Sequence, residues 1–277
     1  MPRYTPERLR EIIAQALPPG TIIPRHTADK HFYFVPATGQ TYSSVTALFD
    51  TLRERSFEEL GKKRAIEYVR SHFHEFTMEN IDDHLVTAGL VHRNNFESAG
   101  HIGTYIHECR ARYFEQWIAT GYRPADVLAF IDPTRPDIRA TSALLGLQDF
   151  CIKEQYIPIV TELPLYSDKL KLGGSLDDFG MIGGDLGETV MLDVKTSNAL
   201  HDRYWLQVST YDAMFQERTG IKPKHLMILK LDKENRSYKT EYIKSPGKHK
   251  ATVRNLLKVR TGMETITTMR KPKVITL

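Results

Sequence analysis

The chain has 277 residues, 41% of them hydrophobic and 26% charged, the balance of an ordinary globular protein with room for one large domain. No apolar run approaches the roughly 18 residues that span a bilayer, and the N-terminus MPRYTPERLREII lacks an apolar signal core and carries two glutamates, against secretion and against an organelle transit peptide. Two cysteines, Cys109 and Cys151, fit a reducing cytoplasm and exclude a four-cysteine iron–sulfur cluster or a Cys-rich zinc site, while a net charge of +4 permits a polyanionic partner without demanding one.

Residues 4–17 are predicted as a short helix closed by Pro18-Pro19-Gly20. His31–Val35 reads as a strand, Ala37–Gln40 as a turn around Gly39, and Thr41-Tyr42 as a short return strand. Ser43 or Ser44 is the expected N-cap of a helix beginning near Val45 and running toward Glu59. Helix dominates through about residue 120, with Ile102, Ile106, Ala111 and Phe114 at near-helical spacing and Gly121 as the stop. The stretch 122–140 holds three prolines and reads as loop with one short helix; TSALLGLQDFCIKEQ is then a helix capped by Thr141 or Ser142.

From residue 157 the pattern changes to three strand-like runs, IPIVTELPLYS, KLGGSLDDFGMIGG and ETVMLDVKTS. HDRYWLQVSTYDAMFQERTG is an amphipathic helix ended by Gly220, and HLMILKLD and YKTEYIK are strands joined by a turn at Glu234-Asn235-Arg236. A basic helix covers 248–262. The expected fold is α/β: a mixed β-sheet flanked by helices, with an N-terminal helical elaboration. Residues 1–100 form the N-terminal hairpin and helical region, packed on a core of 101–277, and the two read as one continuous domain.

The chemistry concentrates in ETVMLDVKTS. Side chains alternate along a strand, so Asp193 and Lys195 share a face while Val194 points into the core. A carboxylate that can hold a hard cation beside an ammonium that can orient or deprotonate water suits phosphodiester hydrolysis. Asp-x-Lys alone is more often a surface ion pair. Upstream, Gly173-Gly174 precede a strand carrying Asp177, and a hairpin turning at Gly183-Gly184-Asp185 would set Asp177 beside Asp193. Two converging carboxylates repel unless a cation lies between them. Asp178 faces the other way, and Glu162 is either a third carboxylate or the partner of a nearby lysine or arginine.

Gly-x-x-Asp at 174–177, Asp-x-Lys at 193–195, Gln-x-x-x-Tyr at 207–211 and the Gly-x-x-x-His frame of Gly103 and His107 together resemble the RecB-type branch of the PD-(D/E)XK nucleases. The resemblance covers about residues 103–211, and the two-cysteine chain is similar to the branch members without an iron–sulfur cluster. The opening hairpin and SSVTALF resemble phage-encoded and mitochondrial genome-maintenance exonucleases of that branch.

The resemblance implies a restriction-endonuclease-like fold and Mg²⁺ or Mn²⁺ held by His107, Asp177, Asp193 and the Val194 carbonyl. Lys195 acts on the water, and Asp177, Asp193 and Lys195 form the catalytic set. Gln207, Tyr211, Glu162, Ser44 and Thr196 are the candidate substrate contacts. Imidazole suits manganese better than magnesium, so the donor set leaves the metal open. Arg203, Tyr204 and Trp205 mix charge with aromatic surface as single-stranded DNA grooves do, although Trp205 is expected to pack inside. The implied activity is a DNA exonuclease acting on ends or single strands, with a structure- or site-specific endonuclease and a non-catalytic DNA-binding module as alternatives. DNA is the implied partner, with no membrane role, in the cytoplasm of a bacterium or phage-infected cell rather than a mitochondrion. Replication or recombination proteins are partners by analogy only.

Overall fold

The computed structural model describes residues 4–27, 31–49, 56–197, 199–243 and 246–270, without the side chains of 26, 56–60, 90–99 and 264–270. Among the described residues, eight strands form one mixed sheet: β1 (Ile23–His26), β2 (His31–Val35), β3 (Gln40–Ser44), β4 (Ile157–Ser167), β5 (Leu172–Ile182), β6 (Glu188–Lys195), β7 (His225–Leu231) and β8 (Tyr238–Tyr242). Their order is β1-β2-β3-β5-β6-β7-β8, with β4 on the opposite edge of β5. The pairs β3–β5 and β6–β7 are parallel and the rest antiparallel. The α/β expectation of a mixed sheet between helices holds.

The helices are α1 (Pro6–Ala16), α2 (Val45–Phe49), α3 (Ser56–His72), α4 (Ile81–Thr120), α5 (Ile138–Lys153), α6 (Asp202–Thr219) and α7 (Pro246–Arg270). One face of the sheet buries Leu9, Ile13, Leu48, Phe179, Met191, Met214, Phe215 and Val253 beneath α1, α2, α6 and α7. The other buries Ile106, Phe114, Leu144, Phe150, Val190, Leu192, Val194 and Leu229 beneath α4 and α5. Val190, Leu192 and Val194 therefore alternate with Met191 between the two cores, as a strand covered on both sides requires. Among the described residues, no helix is long and apolar enough to cross a membrane.

Several local expectations change. The N-terminal hairpin gains β1, paired to β2 in register Ile23↔Phe34, and joins the main sheet where Ser44 meets Gly173. α2 is described only through Phe49, so the expected run toward Glu59 passes outside the described residues before α3 starts at Ser56. α5 begins earlier than its apolar pattern suggests. Its cap is Asp137, whose carboxylate accepts from the Arg139 amide at 2.8 Å, not Thr141 or Ser142. α7 extends well beyond residue 262.

β5 is the strand on which the sheet forks. Its first residues, Leu172 and Gly173, pair with β3, and its last, from Asp178 to Ile182, pair with β6. Between them lies Asp177. The β5–β6 ladder stops at Asp178↔Leu192, and the next β6 amide facing that gap, Val194 N–H, donates to the Asp177 carboxylate at 2.7 Å. The fork thus substitutes a side-chain acceptor for a backbone one and opens the sheet at the acid.

Candidate active site

At the fork, β5 supplies Asp177, β6 supplies Asp193, Val194 and Lys195, β4 supplies Glu162, and α4 crosses behind with His107 and Arg110. Ligand atoms of His107, Glu162 and Asp177 all lie within 4.8 Å of one another. His107 Nδ1 stands 3.8 Å from Asp177 Oδ1. Lys195 Nζ is 2.7 Å from Asp193 Oδ2, and the ammonium also sits over the Tyr204 ring at 4.9 Å from its centroid. Asp193 is fully buried, and neither of its oxygens receives a well-aligned hydrogen bond. A buried carboxylate left so is costly unless something else neutralises it.

Arg110, which the sequence reading did not single out, organises the acids. It is completely buried, donates to Asp178 Oδ2 at 2.6 Å and to Glu162, and lies 3.8 Å from Asp177. The only signal was its place three residues after His107, on the same helix face and amid Ile106, Cys109, Tyr113 and Phe114. Glu162 answers both of its sequence readings, since it pairs with an arginine and also joins the His107–Asp177 cluster. Its backbone is held at φ +47°, a left-handed conformation uncommon for glutamate that the surrounding strands must enforce. Asp178 also points toward α4 and shares Arg110 Nη1 with Asp177, at 2.6 and 3.8 Å, so the expected turn away from Asp177 fails: Leu176 and Phe179, three residues apart, enter the same core and break the alternation between them.

The charges do not balance. Among the described residues the cations facing Glu162, Asp177, Asp178 and Asp193 are Arg110 and Lys195, so two negative charges would remain if all six were ionised, and burial instead pushes Asp178 well above the ordinary carboxylate range. The consequences appear in the proton affinities. Burial, then the nearby Asp177, pushes Asp193 up to about 6 against the pull of Lys195. Burial likewise takes Glu162 to about 6, although Arg110 opposes it. Burial would raise Asp177 too, but His107, Arg110, Lys195 and the Val194 amide hold it below the ordinary range. Lys195 is raised despite its burial, chiefly by Asp193, so it stays an ammonium. Burial lowers His107 to about 4, which leaves a neutral imidazole with a lone pair to offer. Hard oxygens, one imidazole, a buried Asp193 Oδ1 to which no described group donates, and more carboxyl groups than cations fit a single divalent cation.

Two glycines explain why the motif spacing matters. A Cβ on Gly174 would stand 2.4 Å from Cε1 of Tyr211. That bare position lets α6 lie against β5 one turn from the acid, with Gln207 Nε2 donating to the buried Tyr211 hydroxyl at 3.2 Å. A Cβ on Gly103 would stand 3.1 Å from Thr196 Oγ1, so Gly103 lets α4 close onto the end of β6 and bring His107 to the acids. Val194 is buried in the α4–α5 core, and Trp205 is half-buried whereas Tyr204 is buried. Ser44 is buried with its hydroxyl accepting from the Ala47 amide at 3.0 Å, the N-cap of α2. Thr196 lines a small cavity of about 200 Å³ with Ser197, Lys230 and Asp232. Cys109 and Cys151 are free and buried.

No family model matches the chain, and no curated protein matches it. Among solved structures, the crystal structure of SSO0001 is 16% identical with a TM-score of 0.27, over 61% of this chain and 76% of that one. An alkaline exonuclease (LHK-Exo) from Laribacter hongkongensis is 13% identical with a TM-score of 0.30, over 59% of this chain and 87% of that one. Likenesses this slight carry no functional assignment by themselves.

Proposed function

We propose that the chain is a divalent-metal-dependent deoxyribonuclease of the PD-(D/E)XK superfamily, in its cluster-free RecB-type branch, that removes nucleotides from DNA ends or single strands. The observation that carries this reading is four carboxyl groups converging on two cations at one largely buried site, with a neutral imidazole beside them and an Asp193 oxygen to which no described group donates. Asp177, Asp193, His107 and the Val194 carbonyl would hold Mg²⁺ or Mn²⁺, with Glu162 on the same side. When bound, such an ion polarises a phosphate and acidifies water.

The chain's own groups supply the rest. Lys195 is kept charged by Asp193 and so acts as a donor to a phosphate oxygen, stabilising the charge that builds as the diester is attacked. This favours the orienting and electrostatic role of the lysine over the role of base. Arg110 lies too deep to reach substrate and holds Glu162 and Asp177 in place from behind. Gln207, half-buried on the first turns of α6 and tied to Tyr211, offers an amide to the DNA backbone, with Thr196 beside the strand end.

The test is digestion of end-labelled single- and double-stranded DNA with Mg²⁺, with Mn²⁺ and with EDTA. Cleavage is expected with either ion, to be abolished by EDTA, and to be lost in Asp193→Asn and Lys195→Ala. Full activity of either variant, or cleavage in EDTA, overturns the assignment. Cutting of a closed circular DNA would replace the exonuclease reading with an endonuclease, because an exonuclease requires an end. Binding without cleavage of any substrate would replace it with a binding module.

A further inference from the structure

An open groove of about 1090 Å³ lies away from the acids, between α6, α7, β3 and the turn from β4 to β5. Six cations line it: Lys169, Lys171, Lys250, Arg254, Lys258 and Arg260. Its one acid, Glu217, is already engaged, accepting from the Ser167 hydroxyl at 2.7 Å and the Asp168 amide at 3.0 Å and lying 3.6 Å from Arg218. Lys250 is paired with Asp212 at 2.5 Å, and Arg260 donates to Ser43 at 2.9 Å. Lys169, Arg254 and Lys258 are exposed and make no ion pair among the described residues. Like charges converging on one groove repel one another, and a polyanion is the ligand that relieves this.

The lining also says what kind of polyanion contact this is. Leu170, Leu172 and Leu257 supply its apolar lining, and among the described residues that line it there is no aromatic side chain on which a base could stack. Such a surface binds phosphates and reads no sequence. The groove is joined to the active centre by two rigid elements. On β5, Leu172 precedes Asp177 by five residues, about 16 Å at about 3.3 Å per residue. On α6, Gln216 follows Gln207 on the same helix. A span of about 16 Å is about five phosphates along one strand of duplex DNA.

We propose that this groove is a second, non-catalytic contact for the phosphodiester backbone of the DNA, several nucleotides from the bond being cut. The proposal rests on the nuclease reading. It adds that binding strength resides largely outside the catalytic centre and is independent of sequence. A DNA molecule too short to span both places would then lose its hold on the protein without any change at the acids.

Binding of a labelled 30-nucleotide DNA, single-stranded in one arm and duplex in the other, is measured by fluorescence anisotropy against salt, in the non-cleaving Asp193→Asn background. Neutralising the groove with Lys169→Gln, Arg254→Gln and Lys258→Gln is expected to weaken binding at least tenfold. The slope of log affinity against log salt should fall by about 2 for a single strand or about 3 for a duplex. The arm that shows the change identifies the form of DNA held there. A control carries the same loss of charge on the opposite face, Lys153→Gln, Arg236→Gln and Lys239→Gln, and should keep the original slope. Unchanged affinity and slope in the groove variant, or an equal loss in the control, overturns the groove while wild-type cleavage still upholds the nuclease. A wild-type protein that neither cleaves nor binds DNA overturns the nuclease reading itself.

Discussion

Asp177 and Asp178 are neighbours on one strand with the same side chain, and their surroundings make them different residues. Asp178 is turned beneath α4, where the Arg110 guanidinium meets it at 2.6 Å. Asp177 is turned to the fork, where it takes the Val194 amide and approaches His107 and Glu162. The region around Asp178 is a paired core, while the region around Asp177 and Asp193 keeps more negative charge than its cations balance. A buried ion pair is weak evidence of stabilisation but a strong constraint on position. An unbalanced acid cluster beside it costs folding energy and is a sign of a ligand. The paired core builds the frame that holds the acid-rich region, whose own ion pairs, Lys195–Asp193 and Arg110–Glu162, are too few for its carboxyl groups.

The first way to break this comparison is to remove a charge from the acid-rich side. Asp193→Asn and Lys195→Ala should each lower cleavage by on the order of 10³-fold, about 4 kcal/mol of barrier, in a kinetic assay on end-labelled DNA. Both should retain the fold by circular dichroism. If the centre were a structural ion pair instead, unfolding would accompany the loss.

Removing the charge on the paired side should do the reverse. Arg110→Ala leaves the Asp178 carboxylate buried without its cation and should destabilise the protein by about 3 kcal/mol in urea unfolding. Pairing Arg110→Met with Asp178→Leu should recover much of that stability. The recovered protein should still bind metal poorly, because Glu162 and Asp177 lose their support.

Metal should act on the acid-rich region alone. At about a hundredfold excess over its dissociation constant, Mn²⁺ should stabilise the wild type by about 2.7 kcal/mol, read as a rise in melting temperature. Asp177→Asn should abolish that rise. An equal rise in Asp177→Asn would place the ion elsewhere.

Two smaller effects sharpen the picture. Gly174→Ala drives a methyl group into the Tyr211 ring and should cost about 2 kcal/mol, partly relieved by Tyr211→Leu. His107→Ala removes the imidazole and should lower the ratio of Mn²⁺- to Mg²⁺-supported activity about tenfold. A ratio that does not move would make His107 a packing residue.

Much of this was legible in the residues because it is governed by short-range rules. Period-two alternation put Asp193 and Lys195 on one face and Val194 in the core, but it failed at Asp178, which meets the same Arg110 nitrogen as Asp177. Glycine after the last helical turn marked the ends of α4 and α6 at Gly121 and Gly220, both with positive φ. Gly103 and Gly174 stood in the motif frames, but what packs against each, Thr196 and Tyr211, was decided by the tertiary structure. What only the tertiary structure decided involves partners far apart in the chain. Arg110 meets Asp178 across 68 residues, and no local pattern distinguishes that arginine from any other on an amphipathic helix. The fork of β5 between β3 and β6, which exposes Asp177, depends on strands more than 100 residues apart finding the same edge. The charge imbalance follows from that assembly, because burial and distance set the energy of a carboxylate, and neither is written in its neighbours.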